Sequence, residues 1–358
     1  MHAIQLSSIV EGPSQLAASK VRDPIPKSNE YLIDVYACGM NFFDLLQIRG
    51  KYQNQPTLPW IAGSEFSGVI ASVPEDRRFN KFNKGDRVFG AEQGAFATKI
   101  SVPETQLQLN PDGWSFQDAA ALYLTGPTSV AGLTLRANVQ KGMTIDPSLV
   151  KLNGFVNTLL GDWVLIHGAA GGVGLSAIQV AKALGTHVVA TATGSSNIQI
   201  CKSYGADHVI DYLKFPNWDE EAMKISGNHG VDVVWDTVGL ISQSLKCVAF
   251  GARVVVVGFV GGDIESIKAN RVLLKNISIV GLHWGAYSKH EPHTIPKIWD
   301  RLFKLIADKK FRSIVYQPQD KVELEGLSTV GHALHLLQER ASWGKVVVNV
   351  TTEVTANM

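Results

Sequence analysis

Cysteine is scarce: Cys38, Cys201 and Cys247 are the only three in 358 residues. They are odd in number and far apart in sequence. That excludes a disulfide scaffold and points to a reducing, cytoplasmic setting. Long apolar runs are also missing, so no segment reads as a membrane span. The amino-terminal stretch MHAIQLSSIVEGPSQ has neither the basic start nor the apolar core of a secretory signal. Excess charge of either sign is absent. With 33 basic and 32 acidic residues, nothing marks nucleic acid or an anionic membrane as the main partner. Internal repeats and low-complexity tracts are not found. Nor does a Ser-His-Asp set, a paired-carboxylate motif or a Cys-His nucleophile stand out.

Glycine, in contrast, is concentrated where it matters. Gly161 to Gly174 reads GDWVLIHGAAGGVG. A buried strand, Trp163 to Ile166, enters a glycine-rich turn, and a helix is predicted from Val173 to Leu184. Gly171 and Gly174 take the second and third glycine places of the dinucleotide-binding pattern, and Ala169 takes the first. The chain must turn sharply, let its backbone approach a pyrophosphate, and then pack a helix on the strand; a side chain obstructs each step. The helix amino terminus then faces the phosphates. An ordinary strand-to-helix turn can carry the same glycines. The buried strand His187–Thr191, about 20 residues on where a ribose-binding position belongs, favours the nucleotide.

The surrounding rhythm divides the chain. Before residue 125, short strands alternate with turns: Tyr31–Cys38, Glu65–Val73, Asp86–Phe89 and Phe96–Val102. Helical patterning follows at Phe116–Leu122 and Thr128–Ala137. Beyond it come six nearly continuous apolar strands: Trp163–His167, His187–Thr191, His208–Ile210, Val231–Trp235, Arg253–Val257 and Ile277–Leu282. Most are separated by helix-length segments, which predicts an α/β layer with a parallel sheet covered on both faces. Apolar positions 295, 298, 299, 302, 303, 305 and 306 predict an amphipathic helix. Lys345–Val350 is expected to be a strand rejoining the first domain.

Several segments, in order, carry a family resemblance. They are Gly39-Met40-Asn41-Phe42-Phe43-Asp44, Arg49-Gly50-Lys51-Tyr52, Gly63-Ser64-Glu65, Leu124-Thr125-Gly126-Pro127-Thr128, the glycine turn, Gly205 through Tyr212, Val257-Gly258-Phe259 and Gly344-Lys345-Val346-Val347. The chain resembles the medium-chain dehydrogenase/reductase superfamily, in particular its zinc-free, zeta-crystallin-like quinone oxidoreductase branch. The resemblance implies a Rossmann domain, residues 126–285, with a doubly wound six-stranded parallel sheet. It is inserted into a chaperonin-10-like β-rich catalytic domain formed by residues 1–125 and 286–358.

Zinc relatives hold their catalytic metal with a Cys and a His. The matching positions here are Asn41 and Ser64, neither a usual ligand. Residues 90–115 also lack the four-cysteine lobe of a structural zinc, so no metal is expected. The loop Thr193-Gly194-Ser195-Ser196-Asn197 after the second strand has no acid to repel a 2′-phosphate, which favours NADPH over NADH. Asn197 stands where the family has a phosphate-binding lysine; Ser195, Ser196 and Tyr212 are neutral donors. Cofactor contacts are expected from Thr128, from Ala170, Gly171, Gly172, Val173 and Gly174, from Thr193, and from Gly258, Phe259 and Lys345. The nicotinamide carries a hydride reaction, so the protein need only position and polarise. By resemblance, Tyr52 and Asn41 lie near it and can donate hydrogen bonds to a developing oxyanion. Either can instead be a cofactor contact or a core polar residue. His283 and Trp284 read as packing.

The expected activity is NADPH-dependent reduction of a quinone or conjugated enone, by a homodimer. An enoyl-thioester reductase is the nearest rival, and a non-catalytic nucleotide-binding structural or RNA-binding protein is the rival from another class. The stretch 143–161 interrupts the family pattern, because Gln140-Lys141-Gly142 followed by Asp162-Trp163 is the usual transition. It reads as a lid or partner-binding loop, as a tolerated surface insertion, or as a retained intron whose splicing would fuse the two glycine codons in frame.

Overall fold

The computed structural model describes residues 1–76, 78–139, 161–318 and 324–350. The chain divides into two compact units. One is Met1–Leu124 with Ser313–Met358, and the other is Thr125–Arg312.

The first unit is built on strands β1 (His2–Leu6), β2 (Ala18–Lys20), β3 (Glu30–Gly39), β4 (Trp60–Ile61), β5 (Glu65–Ser72), β6 (Arg87–Ala91), β7 (Lys99–Pro103) and β8 (Leu107–Leu109). β3 alternates along its length, with Tyr31, Ile33, Val35 and Ala37 buried on one face. That is the period-two pattern of a strand with one core face. It pairs antiparallel with both β5 and β7. The chain returns at its far end, where Val347–Asn349 pairs antiparallel with residues 37–39 of β3. Phe66, Phe82, Phe96 and Val348 fill the core between these strands. The strands missing from the sequence reading are β1, β2, β4 and β8. Most are very short, and β2 (Ala-Ser-Lys) has no apolar face to announce it.

The second unit holds the six expected strands: β9 (Trp163–Ile166), β10 (His187–Ala192), β11 (His208–Asp211), β12 (Val231–Asp236), β13 (Val248–Val256) and β14 (Ser278–Gly281). Their order is β11-β10-β9-β12-β13-β14, parallel throughout. In the central strands Val164, Leu165, Ile166, Val233, Val234 and Trp235 are all fully buried, as a sheet covered on both faces requires. β13 starts at Val248, earlier than predicted; Val248 pairs with Val231, and the register shifts before Arg253 meets Val233, with Gly251 between them at φ +77°.

Two findings correct the sequence reading here. The predicted helix Thr128–Ala137 is instead a helix Thr125–Ala131 that loosens into a π-turn, Gly132–Arg136. At its start the backbone itself packs on the indole of Trp235: a Cβ at Gly132 would lie 2.1 Å from that ring. The domain boundary also moves. Residues 286–312, expected in the β-rich domain, belong to the nucleotide unit. The helix Ile295–Ala307 buries Ile298, Trp299 and Leu302 and contacts the helix Thr125–Ala131. Burying each such side chain is worth about 2 kcal/mol. The stretch 143–161 lies outside the described residues except for Gly161. No helix among the described residues is long and apolar enough to cross a membrane.

Candidate active site

In the nucleotide unit, β9 ends in a turn whose left-handed residue is Gly168, at φ +61°. Ala169, assigned the first glycine place from sequence, is fully buried and makes no such turn. The Gly171 amide donates to Gly168 O at 3.0 Å, and the helix Gly172–Ala183 starts there without a side-chain cap. A Cβ at Gly174 would lie 2.3 Å from Gly168 O and 2.6 Å from Ala169 O, so only glycine lets this helix seat on the turn. At Gly171 the same test meets only Gly168 O, at 3.3 Å. That contact is tight and with backbone, so a side chain at Gly171 would require the turn itself to give by a few tenths of an ångström. Thr128 is half-buried on the helix Thr125–Ala131. The hydroxyl of its neighbour Ser129 lies between Thr125 O at 3.0 Å and Val173 O at 3.2 Å, sharing its one proton between its own helix and the start of the glycine helix.

Loops at the carboxyl ends of β9, β12 and β13 are joined. Thr237 Oγ1 donates to His167 O at 3.2 Å, while the amides of Val260 and Gly261 donate to Thr237 O and Val238 O. Asp236, nearly sealed from solvent, accepts the amides of Val238, Gly239 and Leu240 and so shapes this rim. Gly258 and Phe259 lie on it, with Phe259 exposed. In an open α/β sheet this edge is where ligands bind.

After β10, Thr193 is half-buried and Ser195 and Ser196 are exposed. Asn197 folds its amide back to donate to Thr193 O at 3.0 Å. Tyr212 is partly exposed, and its amide reaches Ala192 O at 3.4 Å. The β10 loop has no acid, but one stands on the neighbouring strand: Asp211 pairs in register with Ala192. Its carboxylate turns into its own loop, accepting the Leu213 amide at 3.2 Å.

The sequence reading missed His167. It is wholly buried between Thr191 Oγ1 at 2.9 Å and Ser244 Oγ at 3.0 Å. Ser244 already donates to Leu240 O, so it accepts from Nε2–H, and Thr191 donates to Nδ1. Burial lowers its pKa to about 4, which keeps the ring neutral. His283 is exposed, not packed as expected, and Trp284 leans on Tyr287 at 5.1 Å between centroids.

In the β-rich unit, Asn41 precedes the helix Phe42–Ile48. Its amide donates to Asp44 Oδ2 at 2.8 Å, and Ser64 Oγ donates to Asp44 Oδ1 at 3.3 Å. The two residues at the metal-ligand positions thus meet around one carboxylate. Burial, foremost, raises the Asp44 pKa to about 7. Asn41 Oδ1 accepts the Lys345 ammonium, and Asn41 Nδ2 faces Gly39 O at 3.3 Å and Glu65 Oε2 at 3.4 Å. Both ends of the Asn41 amide are therefore held by the protein. Lys345, expected at the cofactor, has its ammonium buried in an ion pair with Glu65 inside this unit. Tyr52 is half-buried and stacks on Phe43, centroids 5.4 Å apart. Burial, then the Asp44 charge, raises its phenol pKa. Among the described residues its hydroxyl makes no hydrogen bond. Also among them, no group of three or more His, Cys, Asp or Glu is placed to hold a metal.

A parallel sheet with a glycine turn at its carboxyl edge, carried in a chain whose two ends form a β-rich unit, defines the two-unit dehydrogenase architecture. Family models agree: the alcohol dehydrogenase GroES-like domain matches residues 27–112, and the zinc-binding dehydrogenase family matches residues 172–304. The chain is 33% identical over 90% of its length to a quinone oxidoreductase-like protein 2 homolog of Nematostella vectensis, covering 82% of that protein. The Escherichia coli quinone oxidoreductase complexed with NADPH superimposes with a TM-score of 0.81 at 26% identity, over 98% of this chain and 100% of that one. The CurK enoyl reductase superimposes at 0.79 and 25%, over 98% and 99%. The chain belongs to the medium-chain dehydrogenase/reductase superfamily, among the quinone oxidoreductase-like oxidoreductases.

Proposed function

We propose that this protein is an NADPH-dependent, zinc-independent reductase of quinones or conjugated enones, acting as a homodimer. One observation carries the cofactor reading: the helix Gly172–Ala183 opens at Gly171 without a side-chain cap, directly after a glycine turn that leaves its backbone bare. A bare backbone beside open helix amides suits a pyrophosphate. The NADPH complex of the Escherichia coli relative supports the same reading. When bound, the nicotinamide supplies the hydride.

The chain's residues do the rest. Gly171 through Gly174 would seat the pyrophosphate, and Thr193, Ser195 and Ser196 would meet the 2′-phosphate with hydroxyls where an acid would repel it. Asp236 holds the rim that carries Gly258 and Phe259. The Tyr52 hydroxyl would donate to the substrate oxygen as negative charge develops there. Asn41, with both amide ends engaged, would position the start of its helix and take no part as donor.

Similarity to an enoyl reductase keeps an enoyl thioester as the second reading, since the same polarised carbonyl precedes a β-carbon in both substrate classes. The test is a screen of purified protein with NADPH against quinones, alkenals and enoyl thioesters, before and after exhaustive dialysis against a strong chelator. Turnover of quinones or alkenals that survives chelation is expected. Activity confined to thioesters would favour the second reading, and activity restored only by zinc would refute metal independence.

A further inference from the structure

In the nucleotide unit, the ends of β9, β10 and β12 converge on one buried residue, His167. It follows β9 and immediately precedes Gly168. Its carbonyl accepts Thr237 Oγ1, from the loop after β12. Its ring nitrogens meet two hydroxyls: Thr191 of β10 at 2.9 Å, and Ser244 of the short helix Ile241–Ser244 at 3.0 Å. Trp218 backs the ring edge to face, with centroids 4.7 Å apart. His167, Thr191 and Ser244 are each no more than 2% exposed.

These hydrogen bonds run one way. The neutral imidazole has one donor and one acceptor. Thr191 donates to Nδ1, Nε2–H donates to Ser244 Oγ, and Ser244 donates to Leu240 O at 2.6 Å. The Leu240 amide then donates to Asp236 Oδ2 at 2.7 Å. Aligned bonds polarise one another, and breaking a buried one leaves a group that water cannot reach. With both nitrogens engaged, the ring has none to offer a substrate or cofactor. It acts through what it holds.

What it holds is the foot of the loop that would meet the 2′-phosphate. Thr191 is fixed twice to the turn after β9: its carbonyl accepts the Ala169 amide at 3.4 Å, and its hydroxyl goes to His167. Thr193 comes two residues later. Asn197 closes the loop on itself by donating to Thr193 O at 3.0 Å, so a shift at Thr191 is passed to the loop.

We infer that His167 is a positioning residue for cofactor choice: through Thr191 it sets the spacing between the turn that takes the pyrophosphate and the loop that takes the adenosine ribose with its 2′-phosphate. A dinucleotide spans those two places at a fixed length, and selective contacts need their groups held to within about 0.5 Å. The inference rests on the reading of the chain as NADPH-dependent.

The test is fluorescence titration with NADPH and NADH. Thr191→Val keeps the shape of the side chain and its fitness for a strand, but removes the donor to Nδ1. The ratio of NADH Kd to NADPH Kd is expected to fall about tenfold, the effect of one hydrogen bond, while NADH Kd stays within about twofold. Thr191→Ser, which keeps the hydroxyl, should hold the ratio within about twofold of the unmutated protein. His167→Leu should match Thr191→Val, and the double variant should lose no more than either alone. A role confined to holding the fold would lower Tm and leave the ratio where it was. An unchanged ratio in Thr191→Val, or an equal fall in Thr191→Ser, would overturn the inference; this pair decides even if His167→Leu does not fold. If the unmutated protein binds NADH as tightly as NADPH, the NADPH reading fails, and NADH Kd alone is then decisive. A loss of about tenfold in Thr191→Val but not in Thr191→Ser would sustain His167 as a positioner of the ribose loop; equal affinity in all three proteins would end it.

Discussion

Lys345 and Glu65 form an ion pair almost closed to solvent, with side chains 4% and 0% exposed. One comes from the end of the chain and the other from the start of β5. Burying two charges costs several kcal/mol per ion unless further hydrogen bonds complete the site. Here they do: Glu65 also accepts the Leu124 amide at 3.0 Å, and Asn41 bridges both partners. Lys345→Met strands the carboxylate. A loss of about 3–5 kcal/mol in urea unfolding is expected, with partial recovery in the Lys345→Met, Glu65→Gln double variant. A loss well under 1 kcal/mol would mean that the pair does not hold the unit together.

Cofactor choice is tested at the loop after β10. Thr193→Asp places a carboxylate where a 2′-phosphate is proposed to lie. Fluorescence titration should show the unmutated protein binding NADPH more tightly than NADH, and the variant reversing that order. Equal binding of the two by the unmutated protein would remove the basis for NADPH.

Tyr52→Phe removes a hydroxyl with no partner among the described residues while keeping the ring on Phe43. Turnover with quinone should fall by about 10²–10³, the usual effect of losing one positioned donor to an oxyanion. NADPH affinity should stay within a few-fold. Unchanged turnover would leave Tyr52 as packing.

Asp44 makes a signed prediction about pH. Its pKa is raised from 3.8 to about 7 in the folded chain, chiefly by burial, and by Glu65; Lys345, the Asn41 amide and Ser64 oppose the rise. The folded state therefore binds this proton more tightly than the unfolded state. The stabilisation is complete below pH 4 and is lost as pH climbs toward 7. Asp44→Asn has no such dependence. The stability of the unmutated protein relative to the variant should decline between pH 4 and 7 and level off above. A difference that is constant across that window would show that Asp44 ionises normally.

Oligomeric state is the last expectation. Among the described residues β14 pairs only with β13, leaving its other edge open, and Phe250, Ile264, Leu273 and Leu274 are each at least 75% exposed on the same unit. Open edges and large exposed apolar side chains call for cover. An isologous two-fold pairing would supply it. Sedimentation at micromolar concentration should give a dimer; a monomer would contradict this.

What could be read from the sequence was what local pattern dictates. The six strands of the nucleotide unit show as apolar runs, and Gly174 shows because a turn and a helix must touch there. Tertiary contacts left no such trace. Nothing near Gly132 announces that its backbone will pack on Trp235, a residue of a distant strand. The helix Ile295–Ala307 was evident from its periodicity, yet the unit its apolar face would cover was not. Lys345 sits in a recognisable motif, but only the fold turns its ammonium onto Glu65. Asp44 looks like an unremarkable member of a short helix, and its significance comes from burial alone.

The pairing of Val347–Asn349 with β3 has a consequence for synthesis on the ribosome. The β-rich unit lacks both that strand and the counter-ion of Glu65 until the end of the chain emerges. The nucleotide unit, continuous from Thr125 to Arg312, is under no such delay. At about 5–20 residues per second, the first 124 residues wait on the order of ten to forty seconds with residues 37–39 of β3 unpaired on one side and a carboxylate unmatched. The nucleotide unit has all its residues before the β-rich unit does, so the earliest-made segment is the last to find its full set of partners.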